Sequence, residues 1–171
     1  VLEGFVNMGK NSFASIGNCD LKEVIDEILT LLNYTINKNN IKTEVNFTCD
    51  RIILPFNKDN LKQVFINLML NSVDAINMND DLKPRIIIIS VNQKNNHTFI
   101  SIEDTGTGIE KKDMHQIFDP FYSTKEHGTG MGLYIAFNII KGSGGEVDVQ
   151  SNDKGTKIML SIPIGGGGVH E

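Results

Sequence analysis

Between Asp104 and Leu133, two glycine clusters bracket an aromatic-proline segment, and no other stretch restricts the chain as much. The first cluster, Asp104-Thr105-Gly106-Thr107-Gly108, follows the alternating run Thr98-Phe99-Ile100-Ser101-Ile102. The second, Gly128-Thr129-Gly130-Met131-Gly132-Leu133, runs into an apolar helical pattern. Glycine at every second position lets the backbone approach a ligand without Cβ collisions. A glycine-rich turn that opens a helix also aims unpaired N–H groups and the positive end of a helix dipole at an anion. The arrangement suggests a nucleotide site. It is not the Walker loop, since no Gly-x-x-x-x-Gly-Lys-Ser/Thr string occurs. Nor is it a dinucleotide fingerprint: the spacing is wrong and no βαβ unit surrounds it.

The chain of 171 residues is long enough for one domain with a substantial core. Hydrophobic residues at 40% and charged residues at 22% suit a soluble globular protein. A net charge of −5 argues against nucleic acid as a partner. Cys19 and Cys49 lie outside any metal-ligand or redox spacing and read as reduced thiols of a cytosolic protein. No apolar run approaches the roughly 20 residues of a membrane span, and Ile86 to Ile89 is only strand-sized. No signal-peptide pattern opens the chain, and its start at Val1 reads as a cut from something longer. The expected location is cytoplasmic, with membrane anchoring of the parent left open. The tail from Gly165 to Glu171 is flexible by composition.

Residues 1–19, with Phe5, Val6 and Met8, read as the end of an upstream helix and a linker, and 20–164 as the domain. Asp20 with Glu23 three residues on forms a capping-box pattern. Behind it Leu21, Val24, Ile25, Ile28, Leu31 and Leu32 repeat at helical spacing to about Asn37. Ile41 to Phe47 alternates as a strand does, and Pro55 interrupts. A second helix starts near Asp59 or Asn60 and runs to about Asn77, with Leu61, Val64, Phe65, Leu68 and Ala75 as its core face. Arg85 to Val91 and Thr98 to Glu103 are strands joined by the polar turn Gln93 to Asn96. A third helix carries Leu133, Ala136, Phe137 and Ile140, and Glu146–Ser151 with Thr156–Ile162 form a closing hairpin. The pattern implies an α+β fold: a two-layer α/β sandwich, its mixed sheet of about five strands carrying three main helices on one face.

Two readings stand for each motif. In the second helix Asn67, Asn71 and Asp74 share a face opposite the apolar stripe, as a solvated surface would. Yet asparagine is a poor helix former, and amide oxygens one turn apart suit a hydrated Mg²⁺. Asp104 begins an Asx-type turn, or else accepts a hydrogen bond from a base amino group. Phe118 to Lys125 is a hydrophobic plug under a surface loop, or part of a lid, given the long connection from Ile109 to His127. Lys125 is a surface lysine or a point charge for phosphate. His97, His115, His127 and His170 have no paired metal-ligand spacing and read as ordinary surface histidines.

Four of these segments, in this order, resemble the boxes of the histidine kinase ATP-binding domain. Asn67-Leu-Met-Leu-Asn71-Ser-Val-Asp-Ala75 resembles its N box and Asp104-Thr-Gly-Thr-Gly108 its first glycine box. Phe118-Asp-Pro-Phe121 is similar to the F box, and Gly128-Thr-Gly-Met-Gly-Leu133 to the second glycine box. The resemblance covers about Asp20 to Pro163 and extends to the Bergerat ATP-binding fold shared with gyrase, Hsp90 and MutL; Asn-Ser-Val-Asp-Ala with Ser-Thr-Lys in the lid looks most like nitrogen-regulator-type sensor kinases. It implies ATP and Mg²⁺ as cofactors, with Asn71 as the metal ligand and Asn67 facing the phosphates or metal waters. Asp104 would hold the adenine amino group, with Gly106 and Gly108 packing against the base. Gly128, Gly130 and Gly132 would form the hinge end of the lid, and Lys125 a γ-phosphate contact, so that Asn67 and Lys125 carry the chemistry. Asp74, Ile109, Phe118, Phe121, Thr124, Thr129, Met131, Leu133 and Thr156 complete the implied nucleotide-binding set. Ser72 stands where alanine is usual, and Asp74 where many relatives place a basic residue.

The resemblance further implies transfer of the γ-phosphoryl to a histidine on a dimerisation domain, and onward to a response-regulator receiver domain. None of the four histidines has a phosphoacceptor context, so this chain is expected to bind Mg·ATP as a monomer and to take its acceptor from that other domain of the same parent protein. Two rival readings are a gyrase- or Hsp90-like ATPase and a non-catalytic nucleotide sensor. Those ATPases place a glutamate at the position of Asn67 as general base; an amide cannot take a proton.

Overall fold

A computed structural model describes residues 17–79, 82–125 and 128–164. The expectations for the upstream helix, the glycine tail, His127 and His170 lie outside the described residues. In chain order the elements are β1 (Asn18–Asp20), α1 (Leu21–Lys38), β2 (Lys42–Phe47), β3 (Ile53–Pro55), α2 (Lys58–Asn77), β4 (Ile86–Lys94), β5 (His97–Asp104), α3 (Gly132–Gly142), β6 (Glu146–Asn152) and β7 (Gly155–Pro163).

The helices form where their apolar periodicity and caps coincide. Asp20 caps α1 by accepting from the Lys22 amide at 3.0 Å. Glu23 does not complete a reciprocal box; its carboxylate lies 3.1 Å from Lys58 Nζ on α2. Of the expected stripe, Leu21, Val24, Ile25, Ile28 and Leu32 are buried, whereas Leu31 is 64% exposed. A stripe about 100° wide leaves such a flanking position in solvent. α2 begins slightly earlier than its pattern suggests, because Asn57 caps it through the Asn60 amide at 2.9 Å. Its buried face is Leu61, Val64, Phe65, Leu68, Met69, Val73 and Ile76; Ala75, expected in the core, is half-buried against the Asp104 turn.

The main sheet has the order β2-β4-β5-β7-β6, with β2 parallel to β4 and the other pairs antiparallel. The β4–β5 turn is tighter than expected. Gln93 and Lys94 pair with Thr98 and His97, which leaves Asn95 and Asn96 as the two turn residues, with φ of 50° and 62°. Two consecutive left-handed residues make the primed turn that matches strand twist, and asparagine tolerates it. One face of the sheet is apolar: Ile87, Ile89 and Val91, then Ile100 and Ile102, then Ile158, Leu160 and Ile162. These residues join the inward faces of α1, α2 and α3 in one core. An additional antiparallel pair, β1 with β3, was not expected from the sequence. It brings Asn18 and Cys19 into the folded unit and places Pro55 in a strand, at its last residue.

This packing sets up the site. The apolar face of α2 anchors it to the sheet, which leaves Asn67, Asn71 and Asp74 facing away from the core. β5 ends at Asp104 alongside the C-terminal half of α2, where the Thr107 amide donates to the Ala75 carbonyl at 3.2 Å.

Candidate nucleotide-binding site

A cleft of about 1350 Å³ lies between the polar stripe of α2, the Asp104 turn, the segment after Ile109 and the start of α3. Asn67, Asn71 and Asp74 form one wall, and Asp104, Gly108, Ile109 and Thr156 the inner end. Thr124, Lys125, Gly128, Thr129, Gly130, Gly132 and Leu133 enclose the other side. The remaining candidates lie elsewhere. Gly106 is buried behind the turn, Phe118 stacks on Phe137 at 4.7 Å between centroids, and Met131 is the residue preceding α3. Phe121 is 78% exposed with φ at 66°, a conformation that costs a bulky residue on the order of 1–3 kcal/mol.

At the inner end Asp104 is only 7% exposed. Its Oδ1 accepts from the Gly106 amide at 2.8 Å and the Thr156 amide at 3.3 Å. Burial pushes its carboxyl above the ordinary value; the Gly106 N–H, the Ser72 hydroxyl and the Thr156 N–H oppose that push. A carboxylate is therefore fixed in place by strand and turn before any ligand arrives. Glycine is required at 106 because an added Cβ would lie 2.5 Å from the Ala75 Cβ and 2.8 Å from Asp104 Oδ1. The turn and α2 can approach this closely only without it.

The outer end is polar and less buried. Lys125 Nζ donates to Asn71 Oδ1 at 2.9 Å and to Asp74 Oδ2 at 2.6 Å. Asn67 Nδ2 is buried and has no hydrogen-bond partner among the described residues. An unsatisfied buried donor of this kind costs roughly 1–3 kcal/mol, so an acceptor from a ligand would be favoured there. Beside it, α3 begins at Gly132, and among the described residues no side chain caps it, which leaves its N-terminal N–H groups suited to an anion. The Gly132 α-carbon sits so close to both amides that a Cβ would be 3.6 Å from Asn67 Oδ1 and 3.7 Å from Asn71 Nδ2. These groups fit a metal–phosphate ligand: two side-chain oxygens already hold a cation, the ammonium of Lys125, and an orphaned donor and a helix N-terminus face an anion.

Two polar residues at the inner end were not anticipated. Ser72, buried beside Asp104, showed in the sequence only as a departure from an expected alanine. Ser151 Oγ accepts from the Ile109 amide at 2.8 Å and meets Thr156 Oγ1 at 2.9 Å, tying the glycine turn to the β6–β7 hairpin. Its signal was present in strand parity: Val147, Val149 and Ser151 share a face, and a serine on an otherwise apolar face calls for a partner. Among the described residues no group of three or more His, Cys, Asp or Glu could hold a metal. Cys19 and Cys49 are free thiols.

The histidine kinase-, DNA gyrase B- and HSP90-like ATPase family matches residues 56–166, from the end of β3 beyond β7. The chain belongs to that family. Sporulation kinase C of Bacillus subtilis is 33% identical over 166 residues, covering 96% of this chain and 38% of that kinase. Sporulation kinase A of the same organism is 37% identical over 145 residues, 84% of this chain and 23% of that kinase. The chain thus spans well under half the length of these relatives. Among solved structures, the catalytic domain of the histidine kinase ThkA superposes with a TM-score of 0.78 at 27% identity, covering 88% of this chain and 96% of that one. The five-stranded mixed sheet with three helices is the fold of that catalytic domain.

Proposed function

We propose that this chain is the nucleotide-binding half of a sensor histidine kinase: it binds Mg·ATP and presents the γ-phosphoryl to a histidine on a dimerisation domain of the same parent protein. The observation that carries this reading is the division of one cleft into a buried, pinned carboxylate at one end and two helix-borne amides beside an open helix N-terminus at the other. A base amino group would donate to Asp104, whose position is preset by Gly106 and Thr156. Phosphate oxygens would accept from Asn67 Nδ2 and from the N–H groups that begin α3. Asn71 would offer its oxygen to Mg²⁺, which when bound offsets phosphate charge. Lys125 supplies a second positive charge near the transferring group.

Phosphoryl transfer depends mainly on positioning and charge neutralisation, which is what these residues supply. The P–O bond to the leaving diphosphate breaks as a P–N bond to the acceptor imidazole forms. The acceptor ring, and any acid or base beside it, would come from the other domain. Onward transfer to a response-regulator aspartate and a cytoplasmic location belong to the same reading. Asn67 favours transfer over hydrolysis, since an amide cannot deprotonate water.

The test has two stages. Calorimetric titration with ATP, with and without Mg²⁺, should show micromolar-to-millimolar binding; no heat in either condition sinks the nucleotide reading. Mixing with a histidine-bearing dimerisation domain should then yield an acid-labile phosphohistidine. Brisk steady-state phosphate release by this chain alone would point to an ATPase instead.

A further inference from the structure

A metal ion at Asn71 Oδ1 would share that oxygen with the Lys125 ammonium, and two cations on one oxygen repel each other. Lys125 Nζ reaches both Asn71 Oδ1 and Asp74 Oδ2, and these acceptors stand one turn apart on α2, so a single ammonium spans both. The two side chains of the ion pair are 29% and 49% exposed, which leaves the contact open to exchange with solvent ions. Asp74 is the asymmetric member. It lies on the wall of the cleft but is exposed and sits within a regular helical turn, so a neutral amide in its place leaves the backbone unchanged. Its carboxylate adds an ion pair to the ammonium–amide hydrogen bond and makes a two-point hold.

We propose that Asp74 is a positioning residue that parks Lys125 on Asn71 in the nucleotide-free chain, so that metal and nucleotide can enter only by displacing the lysine. This rests on the nucleotide reading above. The Lys125 ammonium is a tethered stand-in for the cation that Asn71 would otherwise bind. Displacement hands the lysine from a carboxylate to the incoming phosphate charge, so the same side chain competes with Mg·ADP and assists Mg·ATP. A ligand that lacks the γ-phosphate gives up the second half of this exchange. Lys125 thereby biases the site toward the triphosphate, while Asp74 sets a displacement cost that both nucleotides meet.

The decisive measurement is a double-mutant cycle on the whole chain with Asp74→Asn, Lys125→Met and the double variant. Calorimetry with Mg·ADP reads competition without any γ-phosphate contact. Each single variant should bind Mg·ADP about two- to fivefold more tightly, the range expected for losing a partly exposed ion pair. Adding Asp74→Asn to Lys125→Met should then change little. The ratio of Mg·ATP to Mg·ADP affinity should fall in Lys125→Met, which loses the γ-phosphate contact, and stay near that of the unaltered chain in Asp74→Asn, which keeps it. Amide exchange without ligand gives an independent readout: exchange at residues 121–125 should quicken in either single variant, with no further gain in the double. Equal, additive effects of Asp74→Asn in both lysine backgrounds would overturn the proposal, leaving Asp74 as a mere through-space charge. If the unaltered chain binds neither nucleotide, the functional reading fails, while the exchange cycle still decides whether Asp74 parks Lys125.

Discussion

The two ends of the cleft are built on different principles. At the inner end Asp104 is held by main-chain donors from its own turn and from β7, behind a glycine that fits only because it lacks a side chain. At the outer end the contacts run between side chains on α2 and a lysine on the opposite segment, half in solvent. Main-chain geometry is fixed when the sheet folds, whereas exposed side-chain contacts are worth little and are readily exchanged. The inner end is therefore preformed for one invariant chemical group, and the outer end is adjustable for a charge that comes and goes. That division suits the phosphoryl donor proposed above, in which the base would stay while the terminal phosphate leaves.

This contrast can be broken most strongly at Gly106. Gly106→Val forces a side chain into the gap between Ala75 and Asp104 and is expected to lower stability by about 1–3 kcal/mol, as overpacking does. Chemical denaturation would measure that loss, and ATP binding should disappear with it. A variant that kept full stability would show that the inner end is not rigid.

Asp104→Asn separates binding from stability. Losing a charge-assisted hydrogen bond to the base should weaken ATP binding by about 10- to 100-fold, on the order of 1.5–3 kcal/mol. Stability at neutral pH should not fall. Because the folded carboxyl titrates above its ordinary 3.8, the native chain binds more protons than the unfolded one between those two values. Stability of the unaltered chain must then decrease as pH rises through that window and recover as pH falls. Asp104→Asn lacks this dependence, so its relative advantage should be largest above the window and vanish below it. Urea melts across acid pH would show a constant difference if the carboxyl were not desolvated.

At the outer end Asn71→Ala should lower ATP affinity in Mg²⁺ about tenfold, ~1.4 kcal/mol, and leave the metal-free affinity nearly unchanged. Paired titrations with and without Mg²⁺ check this, and equal losses in both would mean that Asn71 does not serve the metal. The smallest effect is expected at Thr129, an exposed residue whose hydroxyl accepts one long bond from the Met131 amide at 3.4 Å. Thr129→Ala should shift stability by no more than about 0.5 kcal/mol. A much larger loss would make the loop before α3 as rigid as the inner end.

Much of this was legible in the chain. The stripes of α1, α2 and α3 and the alternation of β4, β5 and β7 express the periods 3.6 and 2, and each of these elements folds where its pattern lies. The asparagine stripe, the Asp104 turn and the glycine run before α3 were visible as local anomalies: poor helix formers in a helix, and glycines at the ends of regular elements. β1 and β3 were not visible, because strands of three residues are too short for a period and, among the described residues, pair only with each other. Leu31 and Ala75 were read as core since a stripe marks a face but not its edges. Within one motif, Phe118 and Phe121 look equivalent in sequence, yet one stacks on α3 and the other stands in solvent.

What the sequence determined by itself is therefore what short-range periodicity and local backbone chemistry carry: which segments form the three helices and the five-stranded sheet, the Asp20 cap of α1, and which residues lie on the polar face of α2. What the tertiary structure decided is the meeting of those residues. That Thr156 and Gly106 pin the same oxygen of Asp104, that Ser151 ties the turn to the hairpin, and that Lys125 rests on both Asn71 and Asp74 depend on contacts between distant segments. Such contacts leave no period in the chain, because they are fixed by how the layers pack and not by any local preference.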